Sequence, residues 1–210
     1  MIPIETLATF ISVSTFLCLL PGPDNIFVLN QSAINGRKAG VSITFGLCIG
    51  LLIHTSLVAF GISAIIRANA VAFECIRILG VIYLTYLAWG AFKAKPVSFK
   101  SSNEKPNQTS KLIKTGLIMN LSNPKIIIFF LAFLPQFTTS SQNIPSIPFQ
   151  LLYLGLMFAI ISFLVFTFIS YLSGFLSSIL SDKPSIQIIL NKITSLIFIA
   201  LAINLAISRF

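Results

Sequence analysis

The chain has 210 residues, of which 56% are hydrophobic and only 9% charged, with a net charge of +9. A soluble domain carries about 25% charged residues, so this chain has too little polar surface to cover itself in water. Its basic residues sit mostly at the ends of apolar runs, as topology signals do, rather than in a patch that would bind nucleic acid.

The charge-free stretches at 39–66 and 126–181 show what solvent the chain expects. A helix needs about 20 apolar residues to cross the hydrocarbon core of a bilayer. One such run could be a buried core helix, but several in series predict an all-α membrane protein. Six transmembrane helices are expected, at 4–34, 40–66, 72–93, 112–136, 148–176 and 186–208.

Span 1 opens with Glu5 rather than a basic stretch, and its apolar run reaches Pro21 without a small-residue cleavage site. It is therefore expected to be a retained helix, not a signal peptide. It is too long for one straight helix. Pro21, Gly22 and Pro23 should break it, because proline removes a backbone donor and clashes with the preceding turn. Asp24 and Asn25 follow the break.

Span 2 carries Gly46, Gly50 and His54, four residues apart and so on nearly one helical face. Glycines at that spacing let helices approach closely. A histidine on the same face would point into the bundle, either as a proton relay titrating near neutrality or as a hydrogen-bond partner of a neighbouring helix. In span 3, Glu74 and Arg77 lie one turn apart and read as an interfacial ion pair. Tyr83, Tyr86 and Trp89 form a stripe better suited to packing or an interfacial belt than to a ligand cage.

Residues 95–110 form the clearest linker. With its flanks it carries Lys93, Lys95, Lys100, Lys105, Lys111 and Lys114 against the single acid Glu104, which predicts a cytoplasmic loop. The loop at 137–147 has no lysine or arginine, and alternation then puts both termini outside. The linker divides the chain into three spans at 1–94 and three at 111–210, which must run in opposite orientation. Span 4 is broken by Pro124 and carries Lys125 beside the break, as span 1 carries Asp24 beside Pro23. The pattern predicts two inverted three-helix repeats, helices 1 and 4 broken by proline.

A charge at the bilayer centre costs at least ~2.5–3.5 kcal/mol on insertion scales. Asp24 and Lys125 are therefore expected to pair or to face a wet cavity, as a structural ion pair, a substrate or proton site, or both in turn. Helix starts after Pro23 and Pro124 would offer free N–H groups and a positive dipole end to a carboxylate. Asn25 and Asn123 add amide donors and acceptors. For Asn120, a cap or an interhelical hydrogen bond is the better reading. Cys18, Cys48 and Cys75 match no metal or redox spacing and read as small buried hydrophobes. No nucleophile elbow, zinc motif, phosphate loop or dinucleotide fingerprint suggests an enzyme, and no metal site or cofactor is expected.

Together, Pro21-Gly22-Pro23-Asp24-Asn25, Asn35-Gly36-Arg37-Lys38-Ala39-Gly40, the Gly46, Gly50, His54 series and Asn123-Pro124-Lys125 with the aromatic run from Phe129 to Phe137 resemble the lysine exporter (LysE) family, in its homoserine/threonine-exporter branch. The resemblance implies a secondary active exporter of amino acids or close derivatives in a bacterial inner membrane, exchanging substrate against protons. It places Asp24 and Lys125 on the family's charged motif residues, and Gly22, Pro23, Asn123 and Pro124 on the helix breaks. Neutral substrates such as threonine, homoserine or leucine are favoured, because no second buried acid is evident to balance a cationic side chain. A homo-oligomer is compatible with the sequence. Two other readings stay open: a membrane thiol-redox carrier using Cys18 and Cys48, and a small-ion or metal permease using Asp24 and His54.

Overall fold

A computed structural model of the chain describes residues 2–68, 70–96, 108–139 and 145–207. Most of the linker predicted to be cytoplasmic, 97–107, lies outside these residues.

Span 1 is two helices, α1 (Ile4–Leu19) and α2 (Pro23–Asn35), bent by 57°. The break follows from the prolines. Each residue before a proline is pushed out of the helical region, and Leu20 (φ −60°, ψ 130°) and Gly22 (φ −163°, ψ 174°) are both extended. Gly36, at φ 82°, then turns the chain from α2 into α3 (Arg37–Ala68), and α4 (Ala70–Lys93) follows. Span 4 is α5 (Thr109–Leu121) and α6 (Pro124–Ile128), continued by a π-helical stretch (Phe129–Phe133) and a 3-10 turn (Leu134–Phe137), with a 52° bend at the break. Here Asn123, the residue before proline, is again extended (φ −77°, ψ 105°).

The expected fifth span at 148–176 is shorter than predicted. α7 (Ile147–Tyr171) stops at Leu172, and a separate helix α8 (Ser173–Asp182) follows. The chain turns there so that Leu176 and Leu180 can reach the apolar cluster under α2. α9 (Pro184–Ile207) completes the set.

Three of these helices are each long and apolar enough to cross a membrane: α3 over Arg37–Gly61, α7, and α9 over Ser185–Ile207. The two bent pairs pass the same test as broken spans. Of the six expected spans the described residues thus give three, or five with each bent pair taken as one; α4 has 24 residues, about 36 Å at ~1.5 Å per residue. Large side chains that are more than half exposed occur along the long helices, among them Phe60, Leu79, Leu164 and Leu196. Water would not tolerate such a surface, whereas lipid matches it. The protein is an all-α membrane protein with spans 1 and 4 broken at proline.

α3 packs on α5 and α7, and α4 packs on α9, so contacts run between the two halves of the sequence. The α3–α5 contact is backbone on backbone. A Cβ at Gly46 would strike the Ile113 carbonyl, and one at Gly116 would strike the Ile43 carbonyl. This is the close approach that the glycine spacing predicts.

The buried apolar residues fall into two clusters. The larger joins α1, the second half of α3, the 124–137 segment, the first half of α7, and α4 with α9. Its centre is aromatic, with Phe10, Phe129, Phe130, Phe133, Phe137 and Phe158 in edge or tilted contact at 4.9–5.8 Å between ring centroids. The smaller joins α2, the first half of α3, α5 and the second half of α7 through Val28, Ile43, Leu47, Leu112 and Phe166. The helix breaks lie between the two.

Glu74 and Arg77 form the expected ion pair. Tyr86 and Trp89 are exposed, and Lys93 Nζ lies 4.3 Å from the centroid of the Trp89 ring. Such exposed rings beside a terminal lysine fit an interfacial belt.

Candidate functional site

Proline decides which backbone groups are free at the breaks. In an α-helix the carbonyl of residue i accepts from the N–H of residue i+4. Pro21 has no N–H, so the carbonyl of Leu17 has no partner within α1. Lys125 Nζ donates to it across the bundle at 3.4 Å. The next carbonyl, Cys18, accepts from Asn25 Nδ2 at 2.5 Å. At the second break, Pro124 frees the carbonyl of Asn120 in the same way. That oxygen accepts from the Asn123 N–H at 3.0 Å and meets His54 Nε2 at 3.4 Å.

The side chains complete a crossed arrangement. Asp24, at the start of α2, accepts from Asn123 Nδ2 at 2.9 Å. Asn123 is the N-cap of α6, and its Oδ1 accepts from the Lys125 backbone N–H at 3.0 Å. The carboxylate thus sits against the positive end of a helix from the second half, and the ammonium sits at the negative end of a helix from the first. Gly22 keeps the ammonium's place open, because a Cβ there would lie 3.2 Å from Lys125 Nζ.

The two charges do not pair directly. No Asp24–Lys125 contact lies within the 4 Å of an ion pair; the Asn123 amide bonds the Asp24 carboxylate and the Lys125 backbone N–H, while the ammonium goes to the Leu17 carbonyl. Both side chains are buried, at 2% and 7% exposure, and both line one cavity of about 10 Å³, roughly the space a single water requires. Leu17, Leu51, Ile126, Phe158 and Phe166 give it apolar walls, and Cys18, Asn120 and Ser162 add polar groups.

Of the residues singled out from sequence, Asp24 and Lys125 therefore share a cavity, and Asn25 and Asn123 hold its walls. His54 is buried but is not among the lining residues. It contacts the site through the Asn120 carbonyl and lies 5.8 Å from the Phe130 ring. Asn120, expected to serve as a cap or an interhelical bond, instead lines the cavity, and its side-chain Oδ1 has no partner.

The second-half wall was missing from the sequence reading. It is Phe158, Ser162 and Phe166, four apart on one face of α7. A serine in an apolar run carries no local signature, and the spacing is the one signal that could have found it. Cys18 Sγ meets Ser162 Oγ at 3.0 Å, and Cys48 Sγ points to the Ala159 carbonyl at 3.5 Å. Each thiol is thus engaged with α7 rather than with the other. Among the described residues, no group of three or more His, Cys, Asp or Glu is placed to hold a metal ion.

Residues 15–209 match the model of the family described as LysE type translocator. The chain is 30% identical over 202 residues to a leucine efflux protein of Enterobacter sp., covering 94% of this chain and 93% of that protein. It is 29% identical over 199 residues to a leucine efflux protein of Klebsiella pneumoniae, with the same coverage. A leucine efflux protein of Salmonella typhi is 30% identical over 199 residues, again covering 94% and 93%. No solved structure matches.

Proposed function

The chain belongs to the LysE family of translocators, and on that premise we propose that it is a secondary active exporter of neutral amino acids, leucine foremost, driven by exchange against protons. The observation that carries the reading is the pair of opposite charges, set at two facing helix breaks in one cavity. A zwitterion needs this complement: the carboxylate at Lys125, the ammonium at Asp24. The apolar walls suit an aliphatic side chain. Of the neutral substrates considered, leucine agrees best with them and with the names of the relatives.

The two apolar clusters would serve as the two gates, one on each side of the breaks. The cavity between them is smaller than any amino acid, so loading requires one cluster to part. Rocking of the halves about the α3–α5 and α3–α7 contacts would open each cluster in turn, the motion expected of inverted repeats. The coupling proton is assigned to Asp24 rather than His54. Asp24 lines the cavity and keeps Oδ1 free, so a proton and the substrate ammonium would compete for one carboxylate. The basic flanks of the linker support a cytoplasmic linker, with both termini on the outer side of a bacterial inner membrane.

The test is counterflow of radiolabelled L-leucine in proteoliposomes, with and without a pH gradient. Wild-type protein should accumulate label, and the gradient should change the rate. Asp24→Asn should lose the response to the gradient. Absence of leucine counterflow in the wild-type protein would overturn the export reading. A full gradient response in Asp24→Asn would overturn the proton assignment alone.

A further inference from the structure

Around the helix breaks, three buried side-chain oxygens have no hydrogen-bond partner within the protein: Asp24 Oδ1, Asn25 Oδ1 and Asn120 Oδ1. Buried acceptors are paired almost everywhere in folded proteins, and an exception calls for a physical account. Asp24 Oδ1 has one in the ammonium site proposed above. Asn120 is the other cavity-lining member of the three, and nothing so far gives its oxygen a purpose.

The surroundings of Asn120 are built. Its residue is 1% exposed. The side chain lies in the space left by Gly50 on α3, where a Cβ would come within 2.6 Å of Oδ1, 2.8 Å of Cβ and 3.0 Å of Cγ. Its backbone carbonyl is fixed by Asn123 and His54. The residue is thus held by backbone bonds and by shape; it lines the cavity, and its amide oxygen, packed toward Gly50, has no hydrogen-bond partner. A residue that served only to join α3 to α5 would use that oxygen on α3.

The geometry points to Asn120 Oδ1 as a second acceptor for the substrate's α-ammonium, acting with Asp24 Oδ1; this rests on the export reading of the same site. A primary ammonium brings three N–H donors, and one carboxylate oxygen leaves two of them unanswered. A neutral amide oxygen answers another without adding charge. Asp24 and Lys125 then still balance a zwitterion, which a second acid would upset. Asn120 is by this account a specificity residue: it favours molecules with an ammonium over carboxylates of the same skeleton. Gly50 is its cradle.

Two inhibitors of L-leucine counterflow separate this role from a structural one: unlabelled L-leucine, and 4-methylpentanoate, the same skeleton without the ammonium. In Asn120→Leu, inhibition by L-leucine should weaken on the order of tenfold to a hundredfold, the worth of a hydrogen bond to a charged group. Inhibition by 4-methylpentanoate should stay as in wild type. Should Asn120→Leu fail to reach the membrane, Gly50→Ala, which drives the Asn120 side chain from its place, is read with the same pair and should show the same split. Equal weakening of both inhibitors, or unchanged L-leucine inhibition, overturns the assignment and leaves the export reading standing. Wild-type protein that moves no L-leucine removes the export reading, and this inference with it.

Discussion

Asn123 donates to the carboxylate of Asp24 at 2.9 Å, joining residues 99 apart in sequence. The same side chain caps α6 by accepting from the Lys125 N–H at 3.0 Å. One amide therefore holds the second helix break in shape and ties it to the first. Four predictions follow from this centre and its scaffold.

The two duties of Asn123 can be separated. Loss of an N-cap costs ~1 kcal/mol, and loss of a hydrogen bond to a charged group about 1.5–3 kcal/mol. Asn123→Ala should lose both. Asn123→Ser keeps a capping oxygen but is too short to reach Asp24. In thermal unfolding of the purified protein, serine should recover the smaller share of stability. In counterflow it should remain as impaired as alanine, and recovery of transport by serine would show that the Asp24 bond is dispensable.

The buried charges should be worse apart than absent. Removing one member of a buried set leaves an uncompensated charge, at about 3–5 kcal/mol, whereas removing both is often close to neutral. Asp24→Asn and Lys125→Gln should each lower the unfolding temperature, and the double variant should recover most of the loss while remaining inactive. Additive destabilisation in the double variant would mean that the charges do not compensate each other.

Glycine to alanine should change sign with position. At Gly46 a Cβ meets the Ile113 backbone on α5, which cannot yield as a flexible side chain would. At Gly90 it meets nothing within 4 Å. Gly90→Ala should stabilise by about 0.5–1 kcal/mol, the helix preference of alanine over glycine, while Gly46→Ala should destabilise by more than that. Thermal unfolding of the two variants side by side decides it.

The thiols should report on the site without being needed by it. Cys18 is buried in the cavity wall and Cys75 is exposed. In a protein carrying Cys48→Ser and Cys75→Ser, a membrane-permeant maleimide should label Cys18 slowly, and L-leucine should slow it further. Protein with all three cysteines replaced by serine should still export, whereas a thiol-redox carrier would stop.

The fold was legible where the local chemistry of one residue type decides it. Pro21, Pro23 and Pro124 announced both breaks, and Gly46 and Gly50 announced a close helix contact. Counting back four residues from Pro21 and Pro124 even identifies the freed carbonyls of Leu17 and Asn120. What could not be read was who meets them. That Lys125 takes the first, His54 the second, and Asn123 the Asp24 carboxylate depends on how α5 lies on α3. Ser162 and the α8 turn were hidden for the related reason that serine and leucine carry no instruction until a neighbour is in place.

The crossing of the halves also fixes an order of events during synthesis. Asp24 enters the membrane with the first span, while its partner amide on Asn123 is still 99 residues from being made. At bacterial rates of ~5–20 residues per second, the wait is about 5–20 s. During it the first half holds an acid in lipid without the group that fits it, and the carbonyl of Leu17 lacks its lysine. A ribosome that stalled in the linker would leave this half-built centre without the groups that complete it.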